Sequence, residues 1–190
     1  SELNAMDNFE PVLKAELHAA DAYFVSKKGG YDTLDLISQA EVLFPPDLPD
    51  KVPEAVRDIQ EAGKSIAFEL GTAAGFHILR ANEAVLLRYW DAVTGGAPRP
   101  KNRNLGNYIK KLDELKAGDE KVRATLRQIK DLHRNTLVHP EDVLTTDEAI
   151  NLLGIIRSAV SAMLKSIPAP PLLTSEEPAG GLGPQSSETF

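Results

Sequence analysis

The stretch "LHRNTLVHPED", residues 132 to 142, brings Arg134, Asn135 and His139 within six residues at the end of a helix-periodic segment. Pro140 disfavours the helical conformation in the residue before it, so we predict that His139 lies where the last helical turn opens. Unpaired carbonyl groups there favour the imidazolium form, which can donate a proton near neutral pH. A purely structural role is the alternative, since Arg and His cap helix C-termini and Asn is common where helices end.

The spacing of these residues restricts how they can act together. A regular helix would separate Arg134 from His139 by about 140°, whereas Asn135 and His139, four residues apart, would share a face. If all three side chains serve one site, the helix must therefore depart from regular geometry before Pro140.

Other catalytic chemistries have less support in the sequence. The chain has no cysteine, which excludes thiol catalysis, disulfides and thiolate metal ligands and is compatible with a cytoplasmic location. Its four histidines, at positions 18, 77, 133 and 139, form no H-x-x-x-H or H-E-x-x-H ligand pattern. No G-x-S-x-G elbow supports a serine triad. We therefore predict a site without a metal or any other cofactor.

Charge is distributed unevenly along the chain. The net charge of −7 argues against nonspecific coating of nucleic acid, because phosphate binding rests on neutralisation by Lys and Arg. Residues 97–134, however, carry 11 Lys or Arg against 5 Asp or Glu, a net of +6. This segment predicts a local anion-binding face, with an ordinary solvated helix surface as the alternative. The candidate anion-binding residues are Arg99, Lys101, Arg103, Lys110, Lys111, Arg127 and Lys130.

Helical periodicity predicts an all-α fold, and no strand pattern or internal repeat competes with it. We predict a helix opening at Pro11, a short second helix near Thr33, and an extended connector in "FPPDLPDKVP". Residues 1–50 would form an N-terminal helical extension with this Pro-rich connector, residues 51–167 a helical bundle, and residues 168–190 a disordered tail. Nothing in the composition predicts a membrane span.

Within the bundle, the segment from Thr72 is apolar over most of its circumference and should form the most buried helix, with Tyr89 and Trp90 in the core. One strip of it is polar and carries His77, Arg80, Arg88 and Asp91. A helix over "LGNYIKKLDEL" follows. We predict that Asp119 caps the next helix, which leads into residues 132 to 142. We also predict that "TTDE" forms a capping box from Thr145 to Glu148 at the start of the last helix.

"RNTLVH" resembles the R-x(4 to 6)-H signature of the HEPN superfamily, including the polar residue directly after Arg. These all-α domains include metal-independent ribonucleases of toxin–antitoxin, abortive-infection and CRISPR systems, and also non-catalytic members. The order of helices over roughly residues 53 to 167 is similar too. "EAVLLR" is similar to the E-x-x-x-K-R variant of some members, with Leu87 in place of Lys, which weakens the transfer of roles to Glu83 and Arg88.

The resemblance implies scission of RNA by its own 2′-hydroxyl group, with the seven anion-binding candidates acting as RNA-binding residues. His139 would protonate the leaving 5′-oxygen, Arg134 would neutralise charge on the phosphate, and Asn135 would orient the imidazole or a phosphate oxygen. Supporting candidates are Glu83, Arg88, Arg80 and His77. The resemblance also implies a homodimer in which two such sites face each other, and a protein partner such as an antitoxin. The alternative function is a non-catalytic helical module for dimerisation or partner binding.

Overall fold

The computed structural model describes residues 2–19, 24–131 and 143–170, with side chains from Phe9 onward in the first helix. This part of the chain contains eight α-helices and no strand beyond an isolated bridge between Lys28 and Tyr31, so the predicted all-α fold is confirmed. The helices are α1 (Glu2–Ala19), α2 (Thr33–Ser38), α3 (Leu48–Lys51), α4 (Pro53–Ala67), α5 (Gly71–Thr94), α6 (Leu105–Leu115), α7 (Glu120–Ile129) and α8 (Thr146–Leu164).

Helix α5 lies at the centre of the bundle, as its broad apolar surface predicts. It buries residues around most of its circumference, including Tyr89 and Trp90, and it packs most extensively against α4 and α8. Glu54, at the start of α4, pairs with Arg88 near the end of α5, so these two helices run antiparallel. The large side chains that α5 removes from water on several faces contribute to the hydrophobic stabilisation of the bundle.

Helix α8 runs in the same direction as α5 and is held at both ends. At its start, the backbone N–H of Leu144 donates to the Thr72 hydroxyl at 3.0 Å. At its end, the Lys51 ammonium group donates to the Leu164 carbonyl at 2.8 Å. Lys51 lies two residues before Pro53, the first residue of α4, and the start of α4 lies beside the end of α5. Both ends of α8 are therefore fixed relative to the central helix.

Residues 33–52 belong to the same hydrophobic core as the helices that follow. Leu36, Ala40, Phe44 and Leu48 are all buried in it. The proline-rich stretch differs from its prediction, because it is not extended throughout: residues Leu48–Lys51 form one helical turn, α3. Proline is accepted in this first turn since the N–H that it lacks has no intrahelical partner there.

The first helix also differs from its prediction. It begins at Glu2 and carries Pro11 in its interior, whereas the sequence places Pro11 in the first turn.

The predicted helix starts in the second half of the chain are confirmed. The Asp119 carboxylate accepts from the N–H of Lys121 and caps α7. Thr145 and Glu148 form the predicted capping box of α8. Among the described helices, none is long and apolar enough to cross a lipid bilayer. Of the predicted tail, residues 171–190 lie outside the described residues.

Candidate functional site

The three predicted catalytic residues, Arg134, Asn135 and His139, lie in the segment 132–142, outside the described residues. The residues on either side of it are described. The chain enters the segment after Asp131, at the end of α7, and leaves it at Val143, beside the N-termini of α5 and α8. The motif therefore has fixed neighbours at both of its ends.

The exit from the motif segment is packed closely on Gly71, the first residue of α5. A β-carbon on Gly71 would overlap the Leu144 carbonyl oxygen and would lie 2.6 Å from the Thr145 carbonyl carbon. Only glycine leaves room for this backbone-to-backbone approach. The contact and the Thr72–Leu144 hydrogen bond together determine where the chain emerges from the motif segment.

The entry to the motif segment lies beside the start of α6. A β-carbon on Gly106, in the first turn of α6, would be 3.4 Å from Cδ of Lys130, so the Lys130 side chain crosses this turn. Lys130 precedes the first residue of the motif segment by two positions. The loop before α6 and its first turn are therefore adjacent to the point where the motif begins.

Most of the predicted RNA-binding cations form ion pairs within the protein. Arg99 pairs with Asp91, and the Asp91 hydrogen bond raises the pKa of Arg99. Hydrogen bonding to Asp113 likewise raises the pKa of Arg127, which also contacts Glu120. The other paired cations are Lys110 and Lys111 with Glu114 and Lys130 with Asp131. This part of the basic segment is largely neutralised by nearby carboxylates.

Lys101 and Arg103 differ from the other five predicted RNA-binding cations in their pairing. Both are exposed in the loop before α6, and neither forms an ion pair with any residue that the structure describes. Because unpaired, exposed cations attract phosphate most strongly, this loop is the strongest candidate for an anion contact in the basic segment.

The predicted polar strip of α5 faces α4. His77 and Arg80 both contact the Asp58 carboxylate, at 2.8 and 3.1 Å, and Arg88 pairs with Glu54. These contacts join the two helices, which gives His77, Arg80 and Arg88 a structural role. Glu83, the fourth supporting candidate, lies on a different face and lines a small cavity between α5 and α6.

That cavity has a volume of about 80 Å³. Its lining is mostly apolar, with polar groups from both helices and from the loop before α6. The lining residues are Glu83, Leu86, Leu87, Arg103, Leu105 and Tyr108.

Two buried tyrosines near α6 differ in the state of their hydroxyl groups. The Tyr89 hydroxyl accepts from the N–H of Asp119 at 2.8 Å, and burial raises the pKa of Tyr89. Tyr108 is 3% exposed, and its hydroxyl has no hydrogen-bond partner among the described residues. A buried tyrosine hydroxyl normally has a partner, so Tyr108 is a functional candidate. Sequence reasoning missed it, although a tyrosine at an apolar position of α6 was the signal available.

Asn82, on α5, is a second buried polar group that sequence reasoning missed. It is 0% exposed, and neither its amide nitrogen nor its carbonyl oxygen has a partner in the described part of the chain.

An unpaired buried amide costs free energy, so we expect Asn82→Leu to raise the free energy of unfolding by about 1–3 kcal/mol. Urea denaturation measures this change. Asn151→Leu, at an exposed position of α8, is the control and should change stability by less than about 0.5 kcal/mol. A marked loss of stability in the Asn82 variant would contradict the prediction.

Comparisons of the chain with protein-family models, curated proteins and solved structures find no match. Within residues 2–19, 24–131 and 143–170, no three His, Asp or Glu residues come together as a set of metal ligands.

Proposed function

We propose that this chain is a HEPN-like, metal-independent endoribonuclease. The proposal rests on one observation: an R-N-x-x-x-H motif in an all-α bundle, following α7 and preceding α8, in the order of helices that this superfamily has. Two features of the described residues support it. The motif segment begins next to the loop that holds Lys101 and Arg103, and it ends on the close contact with Gly71.

In the proposed reaction, the 2′-oxygen of a ribose attacks the adjacent phosphorus and the bond from phosphorus to the 5′-oxygen breaks. The imidazolium of His139 gives its proton to the leaving 5′-oxygen, while the 2′-hydroxyl proton passes to solvent. Arg134 donates two hydrogen bonds to the phosphate oxygens as negative charge builds there, and Asn135 orients the imidazole or one of those oxygens. The products are a 2′,3′-cyclic phosphate and a 5′-hydroxyl end.

The proposal includes a homodimer. Two motifs facing each other across a two-fold axis would combine two weak basic patches into one groove for a single RNA strand. Sedimentation at several protein concentrations tests for the dimer. A protein that is monomeric at the concentration at which it cleaves RNA would refute the dimer proposal.

A nuclease assay in excess EDTA tests the catalytic proposal. Mixed-sequence RNA incubated with the purified protein should be cut and should carry cyclic phosphate ends, with the same rate when Mg²⁺ replaces EDTA. Intact RNA in both buffers at micromolar protein would refute it.

The alternative is a non-catalytic module for dimerisation or partner binding. The ion pairs formed by five of the seven predicted RNA-binding cations favour it, because paired cations attract phosphate weakly. Under this alternative, Arg134 is structural, so Arg134→Ala lowers the thermal unfolding midpoint while RNA stays intact with every variant. Robust cleavage by the wild type would exclude it.

A further inference from the structure

We propose that Glu176 and Glu177 dock on the basic loop, residues 97–104, and compete there with phosphate. The partner of this cationic surface is then an acidic segment of the same chain. The docked contact rests on charge and position alone. Only the identity of the competing phosphate ligand, an RNA strand, rests on the proposed function.

The basic loop carries cations without carboxylates of its own. It contains Arg99, Lys101 and Arg103 and no Asp or Glu. Arg99 pairs with Asp91, whereas Lys101 and Arg103 are exposed and form no ion pair within the described part of the chain. Two like charges so close in sequence repel each other, so a pair of carboxylates placed beside them would be stabilising.

Hydrogen bonds hold the backbone that carries these two cations. The Asn102 carbonyl accepts from the Asn104 N–H and from the Asn107 side-chain amide, each at 3.0 Å. Because Asn102 lies between Lys101 and Arg103, these bonds fix the chain on which both cations stand. A ligand therefore binds the loop without first having to order it, which favours binding.

The acidic segment leaves the bundle beside the basic loop. Ile167, which follows α8, is 5% exposed and anchors the chain in the core. Residues 168–170 then line a cleft together with Asp91, the aspartate that pairs with Arg99. The chain therefore enters residues 171–190 close to the point where the basic loop is joined to α5.

The length of chain is sufficient for the contact. Six residues separate Pro170 from Glu176, and they span up to about 20 Å when extended. Lys101 and Arg103 follow Arg99 by two and four residues, at most about 7 and 14 Å along the chain. Both cations are thus within reach of the two glutamates.

The composition of residues 171–190 suits a cationic partner. They contain three glutamates, two of them adjacent, and no Lys or Arg. A tether of a few residues gives the glutamates an effective concentration on the order of millimolar at the loop. Each exposed ion pair is weak, so we expect a contact that lowers phosphate affinity about two- to fivefold rather than abolishing it.

A nitroxide label on the full chain detects the contact without any ligand. The chain has no cysteine, so Ser175→Cys gives a single attachment point next to the glutamates. Paramagnetic broadening of amide NMR signals should be strongest at Lys101 and Arg103. Raising the salt from about 0.1 to about 1 M shortens the Debye length from about 10 to about 3 Å and should reduce the broadening. A maximum on another surface would overturn the proposal.

Glu176→Gln combined with Glu177→Gln is the matched control for the labelled protein. It keeps the label, the tether and the side-chain size and removes only the charge. Broadening at the basic loop should fall at least twofold. Equal broadening in the two proteins would mean that the tether alone brings the label near the loop, and the docked contact would be refuted.

Exchange of the charges tests the pairing directly. Lys101→Glu with Arg103→Glu should remove the contact, and adding Glu176→Lys with Glu177→Lys to that protein should restore it. Lys121→Glu, which changes an exposed cation on α7, should leave the broadening as in the wild type. Failure of the fourfold variant to recover the contact would contradict ion pairing between these residues.

Competition is measured with a 2′-O-methyl RNA hexamer, which has no attacking hydroxyl group and stays intact. The double Gln variant should bind it about two- to fivefold tighter than the wild type at about 0.1 M salt. The difference should disappear at about 1 M salt, where exposed charges are screened. Equal affinities at low salt would overturn the competition.

The two kinds of experiment separate this inference from the proposed function. Broadening at the basic loop without hexamer binding by any variant would refute the RNA ligand and leave the docked contact. RNA cleavage by a protein whose label broadens no basic-loop signal would refute the docked contact and leave the nuclease proposal.

Discussion

Replacing His139 with alanine is expected to lower the rate of RNA cleavage by about 10²- to 10⁴-fold, the contribution typical of a positioned general acid. The loss should appear in the chemical step, because the 5′-oxygen would then leave as an unprotonated alkoxide or take its proton from water. Single-turnover cleavage of a defined RNA in EDTA measures it, with circular dichroism showing that helical content is unchanged.

His18→Ala is the control for this variant. His18 is exposed near the end of α1, so its loss removes an imidazole without altering the bundle, and the cleavage rate should equal that of the wild type. Equal rates for the His139 variant and the wild type would remove the catalytic role of His139.

Gly71→Ala should cause a large loss of stability, about 3 kcal/mol in the free energy of unfolding. The new β-carbon would lie 2.6 Å from the Thr145 carbonyl carbon and 2.7 Å from its oxygen, and backbone atoms cannot rotate out of the way as a side-chain tip can. Either α5 or the segment entering α8 must shift, which disrupts packing between two large buried helices. Chemical denaturation measures the loss.

Gly154→Ala provides the matched control, because it makes the same substitution in α8 where a β-carbon would meet nothing within 4 Å. At this exposed helical site, alanine should raise the free energy of unfolding by up to about 1 kcal/mol, since glycine is a poor helix former. Equal effects of the two substitutions would show that the contact at Gly71 is less close than described.

The sequence predicted well those features that depend on neighbouring residues. The caps at Asp119 and Thr145 and the bounds of α6 follow from local rules of helix formation, and the burial of α5 follows from its apolar circumference. Local rules failed at Pro11, which lies inside α1. The helical turn in the proline-rich stretch was missed for the same reason. Prolines were expected to exclude a helix throughout this stretch, whereas the first turn of a helix accepts proline.

Features that depend on packing could not be predicted. Arg127 meets Asp113, which is 14 residues earlier, because α6 and α7 pack together. The sequence shows the two charges but not their distance, so it could not separate paired cations from Lys101 and Arg103. The unpaired hydroxyl of Tyr108 was hidden for the same reason, since a sequence does not show which buried groups lack a partner. The roles of Arg134, Asn135 and His139 stay predictions.

The attachment of α8 at both ends has a consequence for synthesis on the ribosome. Lys51 donates a hydrogen bond to the Leu164 carbonyl, which lies 113 residues later in the chain. This hydrogen bond cannot form until almost the whole bundle has been translated. Until then, the surface of α5 that α8 covers is open to water, so the incomplete chain is prone to associate through this apolar surface.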